Sequence, residues 1–109
     1  MTEQTGNFVT VAKAGDIPVG EARVFEVGEK RLALCNVDGT IYAIDDTCTH
    51  DDGPLGSGQL HGHAIECPRH GARFDVRDGS VLSMPAAYPV ESYPVRIVDG
   101  EIKVDIGEG

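Results

Sequence analysis

Tryptophan is absent from this chain of 109 residues, aromatics make up only 6%, and there are three cysteines. An odd and small cysteine count excludes a disulfide framework. Basic residues are scarce: nine Lys and Arg stand against eighteen Asp and Glu, a formal charge of −9. Phosphate binding needs clustered Lys and Arg, so nucleic acid is excluded as a partner, whereas a basic protein surface is a compatible one. No segment approaches the apolar run of about eighteen residues that a membrane span requires. The first residues, Met-Thr-Glu-Gln-Thr-Gly-Asn, have neither the basic start nor the apolar stretch of a secretory signal. A cytoplasmic location is therefore expected, and in a reducing compartment cysteines beside histidines serve as metal ligands more often than as disulfides.

What the chain has in quantity is glycine, fourteen residues, most of them at evident turns. Residues 8–12 alternate as a strand, 16–20 read as a turn, and 22–27, 31–37 and 40–44 read as further strands. Asp38-Gly39 between apolar runs is a hairpin signal, and Asp78-Gly79 and Asp99-Gly100 are two more turns. Residues 45–62 lose periodicity and become rich in Asp, Gly and His. Short strands follow at 63–66 and 73–76, then a Pro-marked loop at 84–89 and a closing hairpin from 95–98 and 101–106. No helix and no repeat is predicted. The expectation is a single all-β domain over residues 1–109.

Two of the cysteines each have a histidine close behind. Cys48-Thr49-His50 and Cys67-Pro68-Arg69-His70 are separated by sixteen residues, 51–66. Each pair sits in a loop flanked by strands, so the two loops can converge on one site. Pro68 stiffens one loop, and Gly71 permits a backbone angle that other residues resist. Three readings fit these residues. A Cys48–Cys67 disulfide leaves both histidines unexplained. A structural zinc has the right ligand types but unusual spacing. A [2Fe–2S] centre with two thiolates on one iron and two imidazoles on the other uses all four.

The pattern Cys-x-His…Cys-x-x-His resembles the signature of the Rieske family. Gly58-Gln59-Leu60, the run Ile65 to Asp75, Met84-Pro85-Ala86-Ala87 and Tyr42-Ala43-Ile44 extend the resemblance over residues 8–106. It implies a Rieske-like antiparallel β-sandwich, with a small cluster-binding subdomain of two loops, about 45–88, inserted in the β-core. It also implies one [2Fe–2S] cluster per chain, with Cys48 and Cys67 on one iron and His50 and His70 on the other. The histidines would lie near the surface. Reduction would raise the basicity of the bound imidazoles, coupling electron uptake to protonation. Asp45, Asp46, Asp51 and Asp52 are expected as solvated loop acids, and His61 and His63 as surface residues rather than ligands. Cys35, in an apolar strand without a histidine, is expected as buried filler. Gly53-Pro54-Leu55-Gly56 and Pro85 are expected to shield the cluster.

The chain most resembles the separate ferredoxin of aromatic-ring oxygenase systems, a monomeric electron carrier rather than an enzyme. Its expected partners are an NAD(P)H-dependent flavoprotein reductase and a terminal oxygenase. Oxygenase subunits with a Rieske centre continue into a large mononuclear-iron domain, for which 109 residues leave no room. The small subunit of assimilatory nitrite reductase is the alternative within the family, and a zinc-stabilised interaction module the alternative outside it.

Respiratory Rieske proteins carry two bridging cysteines where this chain has Gly53 and Arg69. They also carry hydroxyl residues, donating to sulfur, where it has Ala72 and Phe74. Hydrogen bonds to sulfur favour the more negative, reduced cluster, so their loss lowers the potential. Redox titration is expected to give a midpoint near the low end of the Rieske range, about −150 mV; a value well above zero would refute the assignment of Ala72 and Phe74.

Overall fold

The computed structural model describes residues 8–27, 30–46, 58–67, 71–83 and 89–106. Strands β1 (Phe8–Lys13), β2 (Ala22–Val27), β3 (Lys30–Val37) and β4 (Thr40–Asp45) come first. Four three-residue strands follow: β5 (Gln59–His61), β6 (Ala64–Glu66), β7 (Arg73–Asp75) and β8 (Val81–Ser83). The chain closes with β9 (Ser92–Tyr93), β10 (Val95–Val98) and β11 (Glu101–Asp105). One turn of 3-10 helix, Ala14–Asp16, is the only helical element among the described residues; there the Lys13 N–H donates to Asp16 Oδ2 over 3.0 Å. The all-β expectation holds.

The strands form three antiparallel sheets, ordered β1-β11-β10, β2-β3-β4-β9 and β5-β6-β7-β8. The second sheet is buried on both faces. Leu32 and Leu34 on β3, with Ile41 and Ala43 on β4, pack against Ala12, Ile102 and Val104 of the first sheet. Ala33, Cys35 and Val37, with Ile44, pack against Ile65, Phe74 and Val76 on the other side. Alternation along β3 thus feeds two cores rather than one core and solvent, so Leu32 to Cys35 read as an unbroken apolar run. The expected antiparallel β-sandwich is found, and the inserted segment adds a third sheet of its own.

The β5–β8 sheet is an insertion between β4 and β9, which themselves pair through Ala43↔Tyr93 and Ile44↔Ser92. It was only half legible. β5, β8 and β9 went unpredicted because two or three residues are too few to display a period. The hairpin turns behave as their sequences require. Asp38 and Gly39 have φ of 53° and 94°, and Asp99 and Gly100 have 53° and 79°, positive at both central positions as a type I′ turn demands. Buried Asn36 ties the first of these to the 3-10 segment: its Nδ2 donates to Ile17 O over 2.7 Å, and its Oδ1 accepts from Gly39 N over 2.8 Å.

Gly79 is where the inserted sheet meets the returning chain. Its N–H donates to Asp75 O over 2.6 Å, and its carbonyl accepts from Val90 N over 2.9 Å. With φ at +80°, a Cβ there would lie 2.0 Å from the Val90 carbonyl oxygen. Gly39 has a similar φ and open space around it. Gly79→Ala is therefore expected to cost about 3 kcal/mol or more in denaturant unfolding, combining backbone strain with the clash. Gly39→Ala carries the strain alone and is expected to cost less; equal losses would show that the contact with Val90 is unimportant.

Candidate metal centre

Of the four expected ligands, Cys67 is described; Cys48, His50 and His70 lie outside the described residues, as do Asp51, Asp52, residues 53–56 and Pro85. Cys67 follows β6 directly. Its N–H donates to Ala72 O over 2.7 Å, and its carbonyl accepts from Gly71 N over 3.0 Å. Cys67 and Ala72 therefore face each other where β6 ends and the chain approaches β7. Gly71 has φ of +79°, the left-handed angle expected of it, while a Cβ there would meet only ordinary contact, 3.6 Å from Glu66 Oε2. Conformation, not space, calls for glycine at this position.

Cys67 is 1% exposed and carries a free thiol, which removes the disulfide reading. It shares a face with Ile65, Ala72 and Phe74, all fully buried. Ala72 stands opposite the cysteine and Phe74 diagonally from it, so the two residues without a hydroxyl line the sulfur's own face. Among the described residues nothing hydrogen-bonds to this thiol, and no three His, Cys, Asp or Glu side chains come together as a metal-holding group. A buried, unpartnered soft donor held rigid on a turn suits an iron–sulfur group, since a thiolate away from water needs positive charge beside it.

The other candidates form no metal-holding group with Cys67 among the described residues. Cys35 is fully buried in mid-strand, paired with Ala22 on one side and Tyr42 on the other. Burial pushes its thiol up to about 12, so it persists as a neutral filler. His61 lies on the outer face of the inserted sheet, with Nε2 3.3 Å from Glu66 Oε1, which Arg73 also approaches at 3.3 Å. His63 departs from expectation. It is half-buried, its ring set edge-on to Tyr42 at 5.9 Å, and its carbonyl accepts from Val76 N over 2.8 Å. It thus helps dock the inserted sheet on the central one, at the end away from Cys67.

The acids need correction too. Asp46 is not solvated: it is 3% exposed, with Oδ2 3.4 Å from Arg31 Nε. Asp45 accepts from the Tyr93 hydroxyl over 2.7 Å. Asp75, passed over in the sequence, is buried, and its carboxylate receives Arg77 Nε at 3.0 Å and Nη2 at 2.7 Å. The Arg77 guanidinium holds that carboxyl below its ordinary range against the opposing effect of burial. An Asp-x-Arg spacing ahead of Asp78-Gly79 was the available signal.

The structure is that of an all-β protein with a buried free cysteine at a strand end, and the comparisons name the class. The Rieske [2Fe-2S] domain matches residues 7–94, and the chain belongs to that family. Its cofactor is accordingly a Rieske-type [2Fe–2S] cluster, and the zinc reading gives way. The ferredoxin component of the naphthalene 1,2-dioxygenase/salicylate 5-hydroxylase systems of Ralstonia sp is 42% identical, over 85% of this chain and 89% of that one. The Sphingomonas yanoikuyae B1 ferredoxin superposes with a TM-score of 0.86 at 34% identity, over 91% of this chain and 98% of that one. A chain in the complex of reduced oxygenase and oxidized ferredoxin in carbazole 1,9a-dioxygenase gives 0.83 at 38% identity, over 88% and 99%. Among the described residues no helix is long and apolar enough to cross a membrane.

Cys35→Ser is expected to lower stability by about 1–3 kcal/mol, because a hydroxyl there is buried without a designed partner. Iron content and visible spectrum should stay as in the wild type; loss of colour would make Cys35 part of the centre.

Proposed function

We propose that Cys48, His50, Cys67 and His70 hold the [2Fe–2S] cluster, within a cluster-binding subdomain of about residues 45–88. The protein then carries single electrons from an NAD(P)H-dependent flavoprotein reductase to a terminal oxygenase acting on aromatic compounds. The observation that carries this reading is the Cys67 turn: a buried free thiol, fixed through both its N–H and its carbonyl, in a chain matched along most of its length by ferredoxin components. Those relatives favour the oxygenase role over that of a nitrite reductase subunit. A monomer in the cytoplasm suits such a carrier.

The bound cluster supplies storage of one electron. The protein's own residues set the terms of that storage. Cys67 supplies sulfur from a rigid turn. Ala72 and Phe74 keep water and hydroxyl donors from that side of it, which leaves the reduced state less favoured. His50 and His70, as neutral ligands, hold the other iron and are the edge through which a partner is met. The acidic excess of the chain steers it toward basic docking surfaces, an effect that salt screens.

Native protein prepared without oxygen is expected to contain two irons and two acid-labile sulfides per chain. It should support substrate turnover when mixed with a flavoprotein reductase and a terminal oxygenase. Replacing both His50 and His70 should abolish electron transfer while far-ultraviolet dichroism retains β structure. Protein with full β structure and no labile sulfide would end this reading.

A further inference from the structure

The inserted sheet leaves the central sheet through Asp45 and Asp46 and returns through Glu91, Ser92 and Tyr93. At this neck the Asp45 N–H donates to Glu91 O over 3.0 Å, and the Asp46 N–H donates to Arg31 O over 3.0 Å. The second bond carries the β3–β4 ladder one residue past the end of β4. The Asp46 carboxylate is buried, at 3% exposure, against the Nε of an arginine that is itself half out in solvent and reaches Glu26 Oε2 at 3.1 Å through Nη1.

A buried carboxylate is an expensive way to stabilise a strand end, since an apolar side chain of similar size does so without the desolvation penalty. Its advantage is directional: an ion pair anchored at one end fixes a single orientation. Cys48 lies two residues further on, and two residues of chain reach at most about 7 Å. Whatever fixes Asp46 in place and orientation therefore limits where the Cys48 sulfur can go. Cys67 needs no such aid, because the turn bonds its own backbone at both ends.

We propose that the Arg31–Asp46 pair is a positioning device for the loop bearing Cys48 and His50, setting the geometry of the cluster's first half rather than merely the stability of the fold. This rests on the reading that Cys48 and His50 are ligands. Neither Arg31 nor Asp46 is a proposed ligand; both act through the chain.

The test uses cluster-loaded protein with Asp46→Asn, Arg31→Gln, Arg31→Lys and Tyr93→Phe. Tyr93→Phe removes the hydroxyl bond to Asp45 at the same neck and serves as the control. Asp46→Asn and Arg31→Gln are expected to speed iron release to a chelator by about 10- to 100-fold, the usual range for residues that orient ligands, and to displace the g-values of the reduced cluster. Arg31→Lys keeps the charge and should recover most of the wild-type behaviour. Tyr93→Phe should lower the melting temperature with g-values and release rate unchanged. Should Asp46→Asn fail to fold, the Arg31 variants decide, because that side chain is half exposed. If Arg31→Gln and Asp46→Asn lower only the melting temperature, the proposal is overturned while the carrier function stands. A wild type lacking iron and labile sulfide would instead remove the function itself.

Discussion

The β3–β4 ladder buried on both faces is the constraint from which the other features follow. It has six paired positions, from Leu32↔Asp45 to Val37↔Thr40, and along β3 the larger Leu32 and Leu34 face one neighbouring sheet while the smaller Ala33 and Cys35 face the other. Leu32, Leu34 and Ile41 meet the small Ala12 and the β-branched Ile102 and Val104. Ala33 and Cys35 instead leave room for Phe74 and Ile65, which come from the inserted sheet. Three-residue strands such as β6 and β7 have too little surface to be stable alone. They are held because the central sheet presents them with a preformed, close-packed face. The rigidity of the Cys67 turn is thus borrowed from a sheet to which it does not belong.

Charge is distributed to suit that arrangement. Three carboxylates of the inserted sheet and its neck have an arginine beside them: Asp46 with Arg31, Asp75 with Arg77, Glu66 with Arg73. Two of these acids are buried, and pairing is what makes that tolerable, since an isolated ionised carboxylate away from water is far more costly than any single packing gain. Each pair is locally neutral. The net charge of −9 therefore resides in the remaining acids, and the long-range field a partner would sense is separable from the pairs that shape the fold.

Legibility in the sequence divides along the same line. Asp38-Gly39 and Asp99-Gly100 were readable because a type I′ turn demands positive φ at two successive residues and few dipeptides supply it. The cysteine–histidine pairs were readable because ligand chemistry fixes residue type and spacing locally. Asp46 was misread as a solvated loop acid, since its partner Arg31 stands fifteen residues away and only the β3–β4 register brings them together. His63 was misread for a similar reason: what makes it structural is Tyr42, on a different sheet. The inserted sheet was legible only through β6 and β7 and as a loop-built subdomain, because strands of two or three residues show little period of their own.

Cys35 and Cys67 show how far burial alone is from deciding a cysteine's role. Both are free thiols, 0% and 1% exposed, in the same apolar cluster. Cys35 has strands on both sides, so any approaching ligand would have to break a ladder of backbone hydrogen bonds, and its thiol stays neutral with a pKa of about 12. Cys67 stands at the end of a strand, with Ala72 opposite it. A buried sulfur becomes a useful ligand only where the chain can bring a cation and further donors to it, and a strand end followed by a bonded turn meets that condition where a strand centre does not. The separation of the two thiols follows from the sheet register, which fixes one inside a ladder and the other at its margin.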